Sequence, residues 1–236
     1  MTTYMPIVMA VITMALPIVL IVAVFRARKT QTATPVVRIA LIVSASWAGI
    51  TLLGATYITV LWFSPNVYPW FTLRSATYWP VDSTYDPLAA EVPSLMAGGF
   101  TTAEVGAAGL SASTRTILAA GDLTGSLVTV ALASLVAIAC WRFMQGHPFA
   151  PEIARLSILA AAICLVGGFA AQVLSQWGGT LAADEIIRAG QAPAGLEAAS
   201  GLSLDFWPLF AAIGLGAFAA LARYGTSLQR ETEGLV

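Results

Sequence analysis

The chain has 236 residues, of which 58% are hydrophobic and 10% are charged, and its formal net charge is −1. Ordinary soluble domains carry roughly 25% charged residues, so this composition indicates a membrane protein. A net charge so close to zero also argues against a general basic field for nucleic acid, and we expect no direct contact with nucleic acid.

Five apolar segments are long enough to cross a bilayer as helices, which takes about 20 residues each. In chain order they run from Pro6 to Phe25, Ile39 to Phe63, Leu123 to Trp141, Leu156 to Leu174 and Phe206 to Ala222. The first is expected to be retained, because its basic residues follow the apolar run instead of preceding it as in a signal peptide. The predicted fold class is an all-α polytopic membrane protein with five transmembrane helices.

Lys and Arg residues predict the orientation, because they prefer cytoplasmic loops. Eight of the 11 basic residues lie in the segments 26–38, 142–155 and 223–236. The other three are Arg74, Arg115 and Arg188. This asymmetry predicts a protein of the cytoplasmic membrane with its N-terminus outside and its C-terminus in the cytoplasm.

Two longer loops, 64–122 and 175–205, are predicted on the outer side, where they can form a small extracytoplasmic lobe. Residues 68–85, "YPWFTLRSATYWPVDSTY", are typical of short β-strands or of a loop at the membrane interface. Ser111 or Ser113 is expected to cap a helix that leads into the third apolar segment. The stretch "LAADEIIRAG" predicts a short helix that ends at Gly190.

Small residues recur every four positions on the last two apolar segments, a spacing that allows helices to approach closely. These predicted packing positions are Ala160, Cys164, Gly168, Ala212, Gly216 and Ala220. Cys164 is therefore interpreted as a spacer. Gln172, a strongly polar residue deep in a segment, is expected to bond across helices or to lie near the outer interface.

Catalytic patterns are missing from the sequence. His147, the single histidine, has no zinc-type spacing around it, and neither a P-loop nor a G-x-S-x-G motif occurs. The central parts of the apolar segments carry no ionisable side chains, which proton relays and ion-coupled transporters usually need. We expect no enzymatic activity, no cofactor and no metal site.

The stretch "RFMQGHPFAPEIARLS", residues 142–157, is predicted to be a turn between two spans. Gly146 can end one helix, Pro148 prevents its continuation and Pro151 suits the first turn of the next helix. Arg155 can reach phosphates at the membrane surface. The stretch is either a plain turn or, together with the C-terminal tail "LARYGTSLQRETEGLV", a contact for a partner.

Turn and tail together resemble an uncharacterised family of bacterial multi-pass membrane proteins, the domain of unknown function 2975. The shared pattern is a G-x-P-F turn, an Arg at the head of the next helix and a terminal G-x-x-L-Q-x-x-x-E-G-L-V. Its residues here are Gly146, Pro148, Phe149, Arg155, Gly225, Leu228, Gln229, Glu233, Gly234, Leu235 and Val236. The sequence departs from the family pattern at Tyr224, because an Arg is common in the family at the position before Gly225.

The resemblance covers 37–236 and implies a four-helix membrane domain, to which 1–36 adds an N-terminal helix and a basic cytoplasmic loop. Some family members are encoded beside a small helix-turn-helix regulator, which implies such a regulator as a partner.

The favoured function is a regulatory or interaction protein that uses its cytoplasmic turn and tail. Its expected partners are the lipid bilayer and a helix-turn-helix regulator or another membrane protein. The candidate partner contacts are Gly146, His147, Pro148, Phe149, Arg155, Gly225, Leu228, Glu233 and Leu235. The alternatives are a small permease or channel lined by Ser, Thr and Gln172, and an accessory subunit that packs against a larger membrane complex.

Overall fold

Four long helices and a two-stranded sheet make up the described structure. The computed structural model describes residues 34–64, 68–79, 100–146, 151–190, 198–199 and 201–233. The elements are α1 (Thr34–Trp62), β1 (Trp70–Trp79), β2 (Phe100–Gly106), α2 (Ala112–Met144), α3 (Pro151–Arg188) and α4 (Trp207–Glu233).

All four helices are long and apolar enough to cross a membrane, with candidate spans at Pro35–Trp62, Ala112–Met144, Pro151–Arg188 and Trp207–Ser227. These helices fit the predicted multi-pass membrane protein. The segment 6–25, predicted as a further span, lies outside the described residues.

Helices α2 and α3 are longer than the apolar segments that predicted them. Helix α2 begins at Ala112, and α3 continues to Arg188. Parts of the predicted loops 64–122 and 175–205 are therefore helical, and "LAADEIIRAG" is the end of α3 and not a separate helix. Gly190 follows this helix with φ +68°, a left-handed conformation that favours glycine and ends helices. Hydropathy marks where a helix meets lipid, whereas the helix itself continues until a residue ends it.

Ser111 is the residue that caps α2. Its Oγ accepts a hydrogen bond from the backbone N–H of Thr114 at 3.3 Å. Glu185 of α3 accepts from the backbone N–H of Ser111 at 2.8 Å, from its hydroxyl at 2.6 Å and from the Thr114 hydroxyl at 2.5 Å. Glu185 thus does for α2 what a Glu three residues after the cap does in a capping box, although it belongs to another helix.

Strands β1 and β2 form an antiparallel sheet in the predicted lobe. The register pairs Trp70 with Gly106 and continues to Arg74 with Thr102. Strands in the region 68–85 are thus confirmed by β1, whereas β2 was not predicted. Phe71 is buried on one face of β1 while its neighbour Thr72 is exposed, as the alternation of a strand requires.

The sheet packs on helix ends through one apolar core. Its buried members are Trp62, Phe71, Leu73, Leu110, Leu118, Ala119, Ala182 and Ala183. The indole N–H of Trp62 donates to Asp122 Oδ2 at 2.8 Å, so the one polar atom of this buried ring is satisfied.

The chain divides into two compact units. The first, which we call the lobe unit, comprises Thr51–Val128 and Ala162–Ala211. The second, which we call the turn unit, has its described residues at 34–50, 129–146, 151–161 and 212–233.

Small residues allow α2 and α3 to approach closely within the lobe unit. A Cβ at Gly121 would lie 2.7 Å from Ser175 Oγ and 3.0 Å from its backbone nitrogen. A Cβ at Gly178 would lie 2.8 Å from the side chain of Leu118. Gly121 and Gly125 form a G-x-x-x-G pattern, which is a known signal for close helix packing.

The small residues predicted on α3 lie at packed positions. Ala160 and Cys164 are buried. A Cβ at Gly168 would lie 2.7 Å from Pro208 Cβ, and the Cys164 thiol lies 3.9 Å from the Pro208 carbonyl oxygen. The first turn of α4 therefore packs against Cys164 and Gly168.

The small residues predicted on α4 differ in exposure from those on α3. Gly216 and Ala220 are exposed, and a Cβ at Gly216 would meet nothing within 4 Å, while Ala212 is half-buried. The buried small residues of α4 are Ala219 and Ala222, which are 2% and 4% exposed. Each four-residue step advances about 40° beyond a full helical turn, so a strict spacing of four leaves the packed face.

Two glutamines of α3 hold the extended segment before α4. Gln172 donates to the Asp205 carbonyl at 3.0 Å and accepts from the Asp205 N–H at 2.7 Å. Gln176 forms the same pair of bonds with Ser203, at 2.5 and 2.9 Å, and also accepts from Arg74 at 2.7 Å. The polar group of Gln172 thus bonds to a backbone that leads into the neighbouring helix.

Candidate functional site

The first turn of α3 and the end of α4 line an open cavity of about 310 Å³ in the turn unit, which we call the arginine pocket. Its lining residues are Pro151, Arg155, Arg223, Thr226 and Ser227. Two guanidinium groups and two hydroxyl groups therefore share one concave surface.

Helix α3 positions its contribution through its start. Gly146 has φ +82° and follows the end of α2, and Pro151 is the first residue of α3, as the sequence predicts for this turn. Arg155 is four residues after Pro151, so both lie on the same face of the helix. The start of α3 at Pro151 therefore determines which residues of this helix line the pocket.

Helix α4 positions the other three residues by its periodicity. Thr226 and Ser227 lie three and four residues after Arg223, which places all three side chains on neighbouring positions of one face. The Thr226 hydroxyl donates to the Ala222 carbonyl at 2.9 Å, and Ala222 is buried. The pocket side of α4 is therefore adjacent to its packed face.

The charge of the pocket is positive. Glu152 lies in the first turn of α3, but its carboxylate forms an ion pair with Arg142 from the end of α2. Among the residues whose side chains the structure describes, no ion pair or hydrogen bond involves Arg155 or Arg223. Both arginines are exposed, so their N–H donors are accessible to water or to a bound anion.

The pocket brings together parts of the predicted turn and of the predicted tail. Arg155 from the turn lines it, and Gly225 from the tail lies in α4 between two lining residues. Leu228 and Glu233 belong to α4, but their side chains are not described. His147, Pro148, Phe149 and Leu235 lie outside the described residues.

Comparisons with protein-family models, with curated proteins and with solved structures found no match. The resemblance noted for the turn and tail therefore stands on the motif residues alone.

Pro151 is not among the predicted partner contacts, and neither are three lining residues of α4, Arg223, Thr226 and Ser227. The signal that identifies the three α4 residues is their spacing of three and four along the sequence "ARYGTS", which places them on one face once a helix is assumed to continue past the apolar segment. Helix α4 does continue to Glu233, well past Ala222, where the predicted apolar segment ends.

Over the described ranges, no group of three or more His, Cys, Asp or Glu side chains is placed to hold a metal ion. The arginine pocket is the candidate site that the described residues support, and its chemistry is that of anion binding.

Proposed function

We propose that the protein is a regulatory or interaction protein of the bacterial cytoplasmic membrane, and that a partner docks on the start of α3 and the end of α4. The observation that supports this function is the arginine pocket, because residues from the predicted turn and the predicted tail line it together. A plain turn needs no such shared surface.

The charge distribution supports an inward-facing pocket. Arg155 and Arg223 belong to segments with eight of the 11 basic residues of the chain, and basic residues favour the cytoplasmic side. With this orientation the end of α4 projects into the cytoplasm, where a soluble or membrane-anchored partner can reach it. The family resemblance implies a small helix-turn-helix regulator in that role.

Site-specific photo-crosslinking in cells tests this proposal. A photoreactive amino acid placed at Ser227, an exposed residue of the pocket, should form a reproducible adduct with one protein of defined size. The matched control is the same amino acid at Leu221, which lies on the same helix and is 68% exposed. Mass spectrometry of the adduct identifies the partner.

Two results would contradict the proposal. A probe at Ser227 that yields no protein adduct, or only the mixture obtained at Leu221, would mean that no partner docks beside the pocket. Adducts with lipid alone would likewise mean that no protein partner docks beside the pocket.

A further inference from the structure

We infer that the arginine pocket binds the phosphate of an anionic phospholipid, and that this lipid is a bound component of the docking surface. The inference rests on the proposed function in one respect, which is the placement of the pocket on the cytoplasmic side. Three features of the pocket support a lipid ligand: its position along the helices, its donors and the apolar surface next to it.

The position of the pocket matches the depth of lipid headgroups. The candidate span of α3 begins at Pro151, and that of α4 ends at Ser227. All five lining residues lie within about one turn of these two ends. When both helices cross a bilayer, the ends of their apolar spans lie at the border between hydrocarbon and headgroups, so the pocket opens at the level of the phosphates.

The donors of the pocket match a phosphate ester. Each guanidinium carries five N–H donors in a planar arrangement that suits phosphate oxygens, and the exposed Ser227 adds a hydroxyl to the same lining. The N-terminus of α3 adds partial positive charge at Pro151. Basic pockets between transmembrane helices on the cytoplasmic side are a recognised site for anionic headgroups.

The acidic residue closest in sequence does not neutralise the site. Glu152 is held by Arg142, and this ion pair leaves the formal charge of Arg155 and Arg223 at +2 within the described side chains. A zwitterionic headgroup would bring its own ammonium group close to these two arginines. The charge of the pocket therefore favours a lipid with net negative charge over phosphatidylcholine.

An apolar surface continues from Arg155 along the same face of α3. Ile158 and Leu159, three and four residues further on, are 44% and 56% exposed. An acyl chain whose phosphate lies at Arg155 can extend along these side chains into the hydrocarbon layer. A free phosphate ion would gain nothing from this surface, which is why we assign the site to a lipid.

Native mass spectrometry of the full-length protein in detergent tests the assignment, with phosphatidylglycerol, phosphatidylcholine and inorganic phosphate as separate probes. The wild type should retain phosphatidylglycerol at least about tenfold more tightly than phosphatidylcholine. The double variant R155Q/R223Q should lose that preference. The matched control R38Q removes an exposed arginine of α1 and should keep it.

The conservative variant R155K/R223K distinguishes loss of the lipid site from misfolding of the double variant R155Q/R223Q. It keeps both charges but not the planar donor arrangement, so it should retain a preference for phosphatidylglycerol over phosphatidylcholine, weaker than that of the wild type. Equal retention of phosphatidylglycerol by the wild type and R155Q/R223Q would overturn the inference. Displacement of the lipid by millimolar inorganic phosphate would overturn it in favour of a free-phosphate site.

Failure of this inference and failure of the proposed function are separable, because the lipid measurement uses the isolated protein and the crosslinking measurement uses cells. Selective phosphatidylglycerol binding without a protein adduct at Ser227 would support the lipid site and reject the partner. A protein adduct at Ser227 without selective lipid binding would support the partner and reject the lipid site.

Discussion

The contact between Gly168 and the first turn of α4 predicts a stability difference between two glycines that look equivalent in the sequence. A Cβ at Gly168 would lie 2.7 and 2.8 Å from Cβ and Cγ of Pro208, whereas a Cβ at Gly216 would meet nothing within 4 Å. The proline ring cannot rotate away as a flexible side chain can. The substitution Gly168→Ala therefore forces a shift of the backbone of one helix.

The size of the effect follows from two opposing contributions. Replacing a helical glycine by alanine stabilises a helix by about 1 kcal/mol, and this gain is available at both positions. Overpacking against a rigid neighbour costs about 1–3 kcal/mol, and this cost arises at Gly168 alone. We therefore expect Gly216→Ala to be neutral or stabilising, and Gly168→Ala to be about 1–3 kcal/mol less stable than Gly216→Ala.

Thermal unfolding of both variants in the same detergent measures this difference. One kcal/mol corresponds to about 2–4 °C in Tm for a chain of this size, so the two variants should differ by about 2–12 °C. Equal Tm values for Gly168→Ala and Gly216→Ala would refute the close contact with Pro208. A lower Tm for Gly216→Ala would mean that Gly216, and not Gly168, lies at a crossing.

The variant Glu185→Ala should lower the free energy of unfolding by about 2 kcal/mol, because three hydrogen bonds to a carboxylate are lost from Ser111 and Thr114. Hydrogen exchange should increase first at the start of α2, and unchanged exchange there would contradict the capping role. For the orientation, Thr102→Cys in the lobe should react with an impermeant thiol reagent on intact cells, in a background without other cysteines. Thr232→Cys should stay unlabelled until the membrane is opened, and labelling at Thr232→Cys in intact cells would reverse the orientation.

The helices and the turn could be predicted because their signals are local. Four apolar segments, the glycine that follows α2 and the proline that begins α3 each depend on a few adjacent residues. The cap at Ser111 is local as well. The role of Glu185 could not be predicted, because it depends on how α3 lies beside α2.

The packed faces and the arginine pocket could be predicted only in part. On α3, Cys164 is buried and Gly168 lies against Pro208. On α4 the buried small residues are Ala219 and Ala222, which the predicted spacing of four does not include. Arg155 was identified from the turn alone. Arg223 lies on α4, 68 residues later in the sequence, and only the folded chain shows that both arginines line one cavity.

The pairing of Gln172 and Gln176 with the segment before α4 makes that segment sensitive to length and tolerant of composition. Both glutamines bond to backbone atoms, at two alternate residues, as the edge of a sheet would. The side chains of Ser203 and Asp205 can therefore change without loss of these four bonds. One residue inserted between Ser203 and Asp205 would move one of the two bonded backbone positions out of reach of its glutamine. We therefore expect this segment to tolerate substitutions but not insertions.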